Sequence, residues 1–270
     1  MMLVTDRLTI DGIRRALVPD SVVGSRIHLF DEVASTNAAL RRLAREGAPA
    51  GTVVLAESQT AGRGRHGRPW FSPAGVNFYA SVLLRPTAAV HELGVFSFIT
   101  SLAVGDTLRH LGLDPAIKWP NDVLLEGKKV SGSLAESALS GDGVGHVILG
   151  VGVNLNVDVA TLHAALGSAG VFATSVAAVT GREVDRNAFA SSYLTHLDAW
   201  ARRWEADGTP AVLAAWRGRD ILGGRRVEVR GVRDTFEGRV ISVDERGALV
   251  VIDSRGVRHA LTSEEVRLAD

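Results

Sequence analysis

Apolar positions along this chain alternate between helical and strand spacing, and the changes of spacing mark its elements. Ile10, Ile13 and Leu17 recur at helical intervals until Pro19, which predicts a short leading helix over 10–18. Ile27 and Leu29 alternate with polar neighbours as in a strand. Ser35 then stands at an N-cap position before a helix carrying Leu40 and Leu43, which Gly47 ends. Thr52 to Ala56 is β-branched and apolar and reads as a strand. Val76 to Leu84 reads as another, stopped by Pro86. From Glu92 to Leu111 the chain is apolar on most faces, which predicts a buried helix closed by Gly112.

A β-region follows. Ile117–Trp119, Val123–Leu125, Val130–Ser137 and His146–Val153 are strand-like, with turns at Glu126-Gly127 and Gly141-Asp142-Gly143, so an antiparallel meander is expected. Val157 to Gly170 is weakly patterned and reads as a loop or a marginal helix. Helices are predicted over Arg186–Glu205 and Pro210–Asp220, the second with proline in its first turn. Trp200, Trp204 and Trp216 fit core positions on them. At Gly223-Gly224 the texture changes to short strands at 227–229, 240–243, 249–252 and around Val257. That predicts a small all-β module of about fifty residues, with the domain boundary placed between 1–222 and 223–270.

Thirty basic residues balance thirty acidic ones, so no net field draws the whole chain to nucleic acid and any basic function is local. The absence of cysteine excludes disulfides, thiolate metal sites and cysteine nucleophiles. No His-x-x-His or His-x-x-x-His pair suggests zinc. No apolar run reaches the ~18 residues of a membrane helix and no signal peptide is evident, so a soluble, cytoplasmic protein without membrane partners is expected.

Four stretches could carry chemistry. Gly62-Arg63-Gly64-Arg65-His66-Gly67-Arg68-Pro69-Trp70 joins glycines that permit close backbone approach to three fixed positive charges, which suits an anion and predicts order only once one is bound. A solvated loop would show the same composition. Lys118-Trp119-Pro120-Asn121-Asp122 is followed, seven residues after Asp122, by Lys129 in Gly127-Lys128-Lys129-Val130-Ser131-Gly132; a hairpin would bring Asp122 and Lys129 to one ligand, or merely into a surface ion pair. Gly150-Val151-Gly152-Val153-Asn154 clears one strand face for a ligand or for tight sheet packing. Ser35-Thr36-Asn37, at a strand-to-helix junction, could present polar groups to a ligand or simply cap the helix.

Together, Gln59 with the arginine loop, the Lys118–Asp122 run, Gly127-Lys128-Lys129-Val130 and the Gly150–Asn154 run resemble the biotin protein ligases, in that family's order. The resemblance implies an α+β fold. A mixed β-sheet flanked by helices, like that of class II aminoacyl-tRNA synthetases, would carry a small C-terminal SH3-like β-barrel. It implies biotin and ATP as substrates, Mg²⁺ arriving with ATP, and a carrier domain of acyl-CoA carboxylases as acceptor. Ser35, Thr36, Asn37, Gln59, Arg63, Gly64, Arg65, Lys129, Gly132 and Gly150 match the family's biotin contacts. Arg63, Arg65, Trp70, Lys118, Asn121, Asp122 and Asn154 match positions near the nucleotide. Arg65, Lys129, Asp122 and Arg63 match the catalytic set, with Asp122 also a candidate Mg²⁺ contact.

Departures are Pro69 before Trp70 and Ser133 in place of a branched aliphatic residue. Some thirty residues precede Ser35, too few for the DNA-binding domain of many relatives, which leads to the expectation of a single-function ligase without operator binding. The competing readings are a lipoate or octanoyl transferase of the same superfamily and a non-catalytic binding protein.

Overall fold

The computed structural model describes residues 7–140, 143–231 and 235–269. Seven strands form one mixed sheet in the order β1-β2-β3-β7-β6-β5-β4: β1 Arg26–Val33, β2 Thr52–Gln59, β3 Phe78–Leu84, β4 Ala116–Lys118, β5 Asp122–Leu125, β6 Lys128–Ser140 and β7 Gly143–Val153. β1 and β2 are parallel because a helix returns the chain between them, whereas every later pair is antiparallel. The predicted meander is therefore β4 to β7. Its Glu126-Gly127 turn has positive φ at both residues, the geometry a two-residue hairpin requires. Of the expected 141–143 turn, residues 141 and 142 lie outside the described residues.

Helices cover both faces. α2 (Thr36–Arg45) places Leu40 and Ala44 on Val54, Leu83 and Ile148. On the other face lie α3 (Val95–His110), apolar all round as its sequence requires, and the long α6 (Arg186–Arg217). Phe98 stacks on Trp216 with centroids 4.5 Å apart and Phe96 packs on Trp204 at 5.0 Å, so the tryptophans are core residues as expected. The two predicted helices of this region run together as α6, broken at Gly208, whose φ of 73° lets the chain turn before Pro210 restarts it.

Elsewhere the structure corrects the boundaries. α1 spans only Ile10–Arg14, because a residue before proline avoids helical ψ and the turn at 15–20 ends in Asp20 at positive φ. The weakly patterned 157–170 stretch is helical: α4 (Val159–Leu166), capped by Asp158, then a 3-10 stretch to Phe172, followed by α5 (Val176–Thr180).

After Leu222 the chain forms a five-stranded antiparallel sheet in the order β11-β10-β9-β8-β12: β8 Arg226–Arg230, β9 Thr235–Val243, β10 Leu249–Asp253, β11 Arg258–Leu261 and β12 Glu265–Leu268. Its compact all-antiparallel build is consistent with the SH3-like module anticipated. Val257 sits in a turn rather than a strand, since the Asp253 carboxylate collects the backbone N–H groups of Arg255 and Val257, each at 2.9 Å. Together with His259 at 3.1 Å, these bonds hold the Asp253 carboxyl well below the usual carboxylate range.

Asp220, at the junction between the two sheets, behaves oppositely. Burial raises its carboxyl to about 6, against the lowering effect of the Leu222 and Gly223 backbone N–H groups. An acid raised in the folded state favours the protonated form, so its contribution is full below pH ~4 and is lost as pH rises through about 6. Asp220→Asn should therefore match the parent Tm near pH 4 and exceed it by a few degrees (~2–4 °C) at pH 8. A Tm difference that does not change with pH would contradict this.

Candidate functional site

The strand directions bring one end of the large sheet to a single place. The C-terminal ends of β1, β2 and β7, the starts of β3, β5 and β6, and the N-terminus of α2 all meet there, on the face that α2 covers.

On that face Ser81, Gly150 and Leu134 lie side by side on β3, β7 and β6, and Gly152 pairs with Gly132 one step along. The missing side chains leave room for two others. A Cβ on Gly150 would overlap the Asn37 amide, and one on Gly152 would overlap the Trp70 indole. The strand glycines thus seat side chains of the chain itself, an outcome intermediate between ligand contact and tight sheet packing.

Ser35, Thr36 and Asn37 are each less than a tenth exposed. Ser35 occupies the N-cap position, but its side chain makes no capping bond, so helix capping does not account for it. Thr36 N–H donates to Gln59 Oε1 at 2.9 Å, and Gln59 Nε2 donates to Ser72 Oγ at 3.0 Å. Ser81 joins this cluster, 2.8 Å from Thr36 Oγ1. Sequence reasoning passed over Ser81; the available signal was a single serine in a strand otherwise built of aliphatic and aromatic residues.

The second cluster is cationic. Lys129 Nζ lies 2.5 Å from Asp122 Oδ1 and 5.5 Å from the Trp70 ring centroid. Lys118 is the cross-strand partner of Asp122, and the Arg65 guanidinium lies 5.9 Å from the Trp119 ring centroid. Burial pushes the Arg65 guanidinium and the Lys118 ammonium below their ordinary values, and the nearby Asp122 carboxylate acts against the shift in both. Three cations surround one carboxylate in a partly desolvated setting, an excess of positive charge suited to an anion. The Trp70 indole N–H is buried beside it with no hydrogen-bond partner among the described residues.

Lys129 shares the face of Asp122 and Gly132 only because of a bulge. The β5–β6 register slips between Val123 and Leu124, so the Lys129 ammonium lies where a Cβ on Gly132 would come within 3.1 Å of it.

The arginine loop contains a single 3-10 turn, Arg65–Gly67, with His66 at a φ of 57°. It lies against the small sheet. Arg65 donates to the Thr262 carbonyl at 3.4 Å, His66 Nε2 lies 2.8 Å from the Ser263 carbonyl, and Arg68 pairs with Glu265 at 2.7 Å. Trp119 Nε1 also reaches that sheet, donating to the Gly247 carbonyl at 3.0 Å. Gly64 N–H bonds to the Arg68 carbonyl at 2.8 Å and closes the loop.

Other expected residues have partners of their own outside the cation cluster. Arg63 is exposed, its backbone bridged to Pro69. Asn121 donates to the Ser133 carbonyl and so ties the β4–β5 turn to β6, and Asn154 Nδ2 donates to the Thr174 carbonyl at 3.0 Å and braces the segment before α5. Ser133 keeps a buried hydroxyl without a partner among the described residues.

Residues 29–154 match the family model described as the Biotin/lipoate A/B protein ligase family. The chain is 37% identical over 236 residues to a biotin–[acetyl-CoA-carboxylase] ligase of Paracoccus denitrificans, covering 86% of this chain and 96% of that one. It is 30% identical over 244 residues to the bifunctional ligase/repressor BirA of Bacillus subtilis, covering 90% of this chain and 74% of that one. Among solved structures, the biotin protein ligase from Aquifex aeolicus in complex with biotin and ATP superposes with a TM-score of 0.75 at 25% identity, over 91% of this chain and all of that one. With the motifs gathered at one sheet end and a relative 37% identical matched over 96% of its length, the chain belongs to the biotin/lipoate A/B protein ligase family.

Proposed function

We propose that this chain is an ATP-dependent ligase that activates biotin as biotinyl-5′-AMP and transfers the biotinyl group to a lysine of a biotin carboxyl carrier domain. In the first step a carboxylate oxygen of biotin attacks the α-phosphorus of ATP and pyrophosphate leaves. In the second the lysine amine attacks the acyl carbon, loses a proton, and AMP leaves.

The carrying observation is the cation cluster. Biotin carboxylate and ATP are both anionic, and Arg65, Lys118 and Lys129 around Asp122 supply fixed charge where they must meet. The buried polar junction of Ser35, Thr36, Asn37 and Gln59, a few residues away on the same sheet face, is suited to the ureido head of biotin. Gly64, Gly132 and Gly150 are assigned to the same substrate. Arg63, Trp70, Asn121 and Asn154 are assigned to the nucleotide side, and Trp70 Nε1–H is a ready donor there.

Mg²⁺ is assigned to the substrate, held by phosphate oxygens of ATP. Among the described residues no group of three potential metal ligands occurs, and the Asp122 carboxylate is already paired with Lys129, so a metal contact through Asp122 would compete with that pair. We take 1–222 as the catalytic unit and 223–270 as the accessory one, and ordering of the arginine loop over the adenylate as the means of excluding water. Operator DNA is not among the proposed partners, a reading that the zero net charge supports and that a specific footprint would overturn. No helix among the described residues is long and apolar enough to cross a membrane, and a cytoplasmic setting is part of the proposal.

The test is direct. Incubation with ATP, Mg²⁺ and biotin should release pyrophosphate only when biotin is present, and addition of a carrier domain should give a product heavier by one biotinyl group. Activity with lipoate in place of biotin would transfer the assignment to the sister enzymes.

Asp122 is assigned to orienting the incoming lysine amine. Asp122→Asn should slow single-turnover transfer from preformed biotinyl-AMP by about 10²-fold, the scale of a lost acid–base or orienting group. Transfer at the parent rate would remove that role.

A further inference from the structure

A polar chain leaves the proposed biotin pocket through Asn37, and one member of it has no role so far. Asn37 Nδ2 donates to Glu136 Oε2 at 2.8 Å and lies 3.3 Å from the Leu134 carbonyl. Arg41, one helical turn after Asn37 on α2, donates to the other carboxylate oxygen, Glu136 Oε1, at 2.6 Å. On the opposite side of the amide, Ser81 Oγ lies 2.6 Å from Asn37 Oδ1 and 2.8 Å from Thr36 Oγ1.

The chemistry of these groups allows one arrangement. A carboxylate only accepts hydrogen bonds and a guanidinium only donates them. With Arg41 on one oxygen of Glu136, the other oxygen requires the NH₂ group of Asn37, which turns the amide carbonyl to Ser81. That carbonyl cannot donate, so the single Ser81 proton goes to it, leaving Ser81 lone pairs for the Thr36 hydroxyl. Glu136, with the Leu134 carbonyl as a second and longer acceptor for the same NH₂ group, thereby sets the direction of hydrogen bonding through Asn37 and Ser81, while the Thr36 hydroxyl faces both Ser81 and, at 3.2 Å, Gln59 Oε1.

We propose that Glu136, clamped by Arg41, is a positioning residue for biotin recognition: it holds the Asn37 amide in one orientation and so presents the pocket's donors and acceptors in a single order. The proposal rests on the biotin reading above. Glu136 acts through Asn37 and touches no substrate.

Glu136→Gln tests this with almost no change of shape. Glutamine has one oxygen, which cannot serve both Arg41 and Asn37, so either two donors face each other or the Asn37 amide turns over. In biotin-dependent pyrophosphate exchange, Glu136→Gln should raise the KM for biotin about tenfold, with kcat within about twofold and the KM for ATP unmoved. Adding Arg41→Met releases the glutamine oxygen for Asn37, and the biotin KM should return to within about threefold of the parent. A role limited to charge pairing or stability predicts the reverse, a double variant no better than the single one.

An unmoved biotin KM in Glu136→Gln, or a double variant no better than the single, overturns the positioning role. The parent protein run alongside separates the two failures. Absent exchange in the parent overturns the biotin reading and this inference with it, whereas normal parent exchange beside an unmoved variant overturns the positioning role alone.

Discussion

Replacing Arg65 by glutamine or Lys129 by methionine is expected to lower the rate of biotinyl-adenylate formation by about 10²–10³-fold each, the scale of a lost preorganised charge at a reacting oxyanion. The reason is where the two cations sit. Arg65 is drawn below its ordinary pKa by burial, and Lys129 is held at 2.5 Å by Asp122 and backed by the Trp70 ring. A charge already partly stripped of water does not reorganise as the reaction proceeds, so it acts at nearly full strength on developing negative charge. Lys118 remains in each single variant, and the double variant should fall short of the product of the two single effects. Neither side chain belongs to the core, so the melting temperature should stay within a few degrees (~2–4 °C) of the parent. Exchange kinetics with a parallel thermal melt checks both halves, and a double variant turning over at the parent rate would sink the assignment of the cation cluster.

The largest expected effect on stability lies beneath the sheet. Arg186, at the start of α6, is 1% exposed in its side chain and pairs with Glu57 of β2 at 2.7 Å. Glu57 also accepts the Leu8 N–H at 2.8 Å, and Arg186 donates to the Asn77 carbonyl at 3.3 Å. Removing one partner leaves an uncompensated charge in the interior, so Glu57→Gln or Arg186→Met should each cost about 3–5 kcal/mol. For a chain of this size that is a fall of roughly 6–20 °C in Tm. Replacing both with apolar residues removes the orphaned charge, and the double variant should lose less than the sum of the two single losses. Strictly additive losses in denaturant melts would show that the pair is not coupled. Glu57 lies two residues before Gln59 on β2, so the pair also anchors the strand that delivers Gln59 to the polar junction.

The loop geometry links these findings to the small sheet. Arg65 and His66 bond to carbonyls at 262 and 263, and Arg68 pairs with Glu265, so the arginine loop is held against the start of β12 and the turn before it.

Hydrophobic periodicity by itself determined most of the elements, including the buried α3, the meander and the change of texture at Gly223-Gly224, because burial on one face imposes spacing that local sequence must carry. The order of the motifs was equally legible. What Ser35 does was not, since capping and ligand-facing roles demand the same residue at the same position and differ only in where its side chain finds a partner. The meeting of Asp122 and Lys129 across a hairpin was legible from their spacing, but that Lys129 also shares the face of Gly132 was not. Period-two alternation puts residues three apart on opposite faces, and only the bulge in β5–β6 brings these to one side. Glu136 is 99 residues from the Asn37 it orients, and Glu57 is 129 from Arg186; such partners are chosen by strand register and helix docking, which no local pattern encodes.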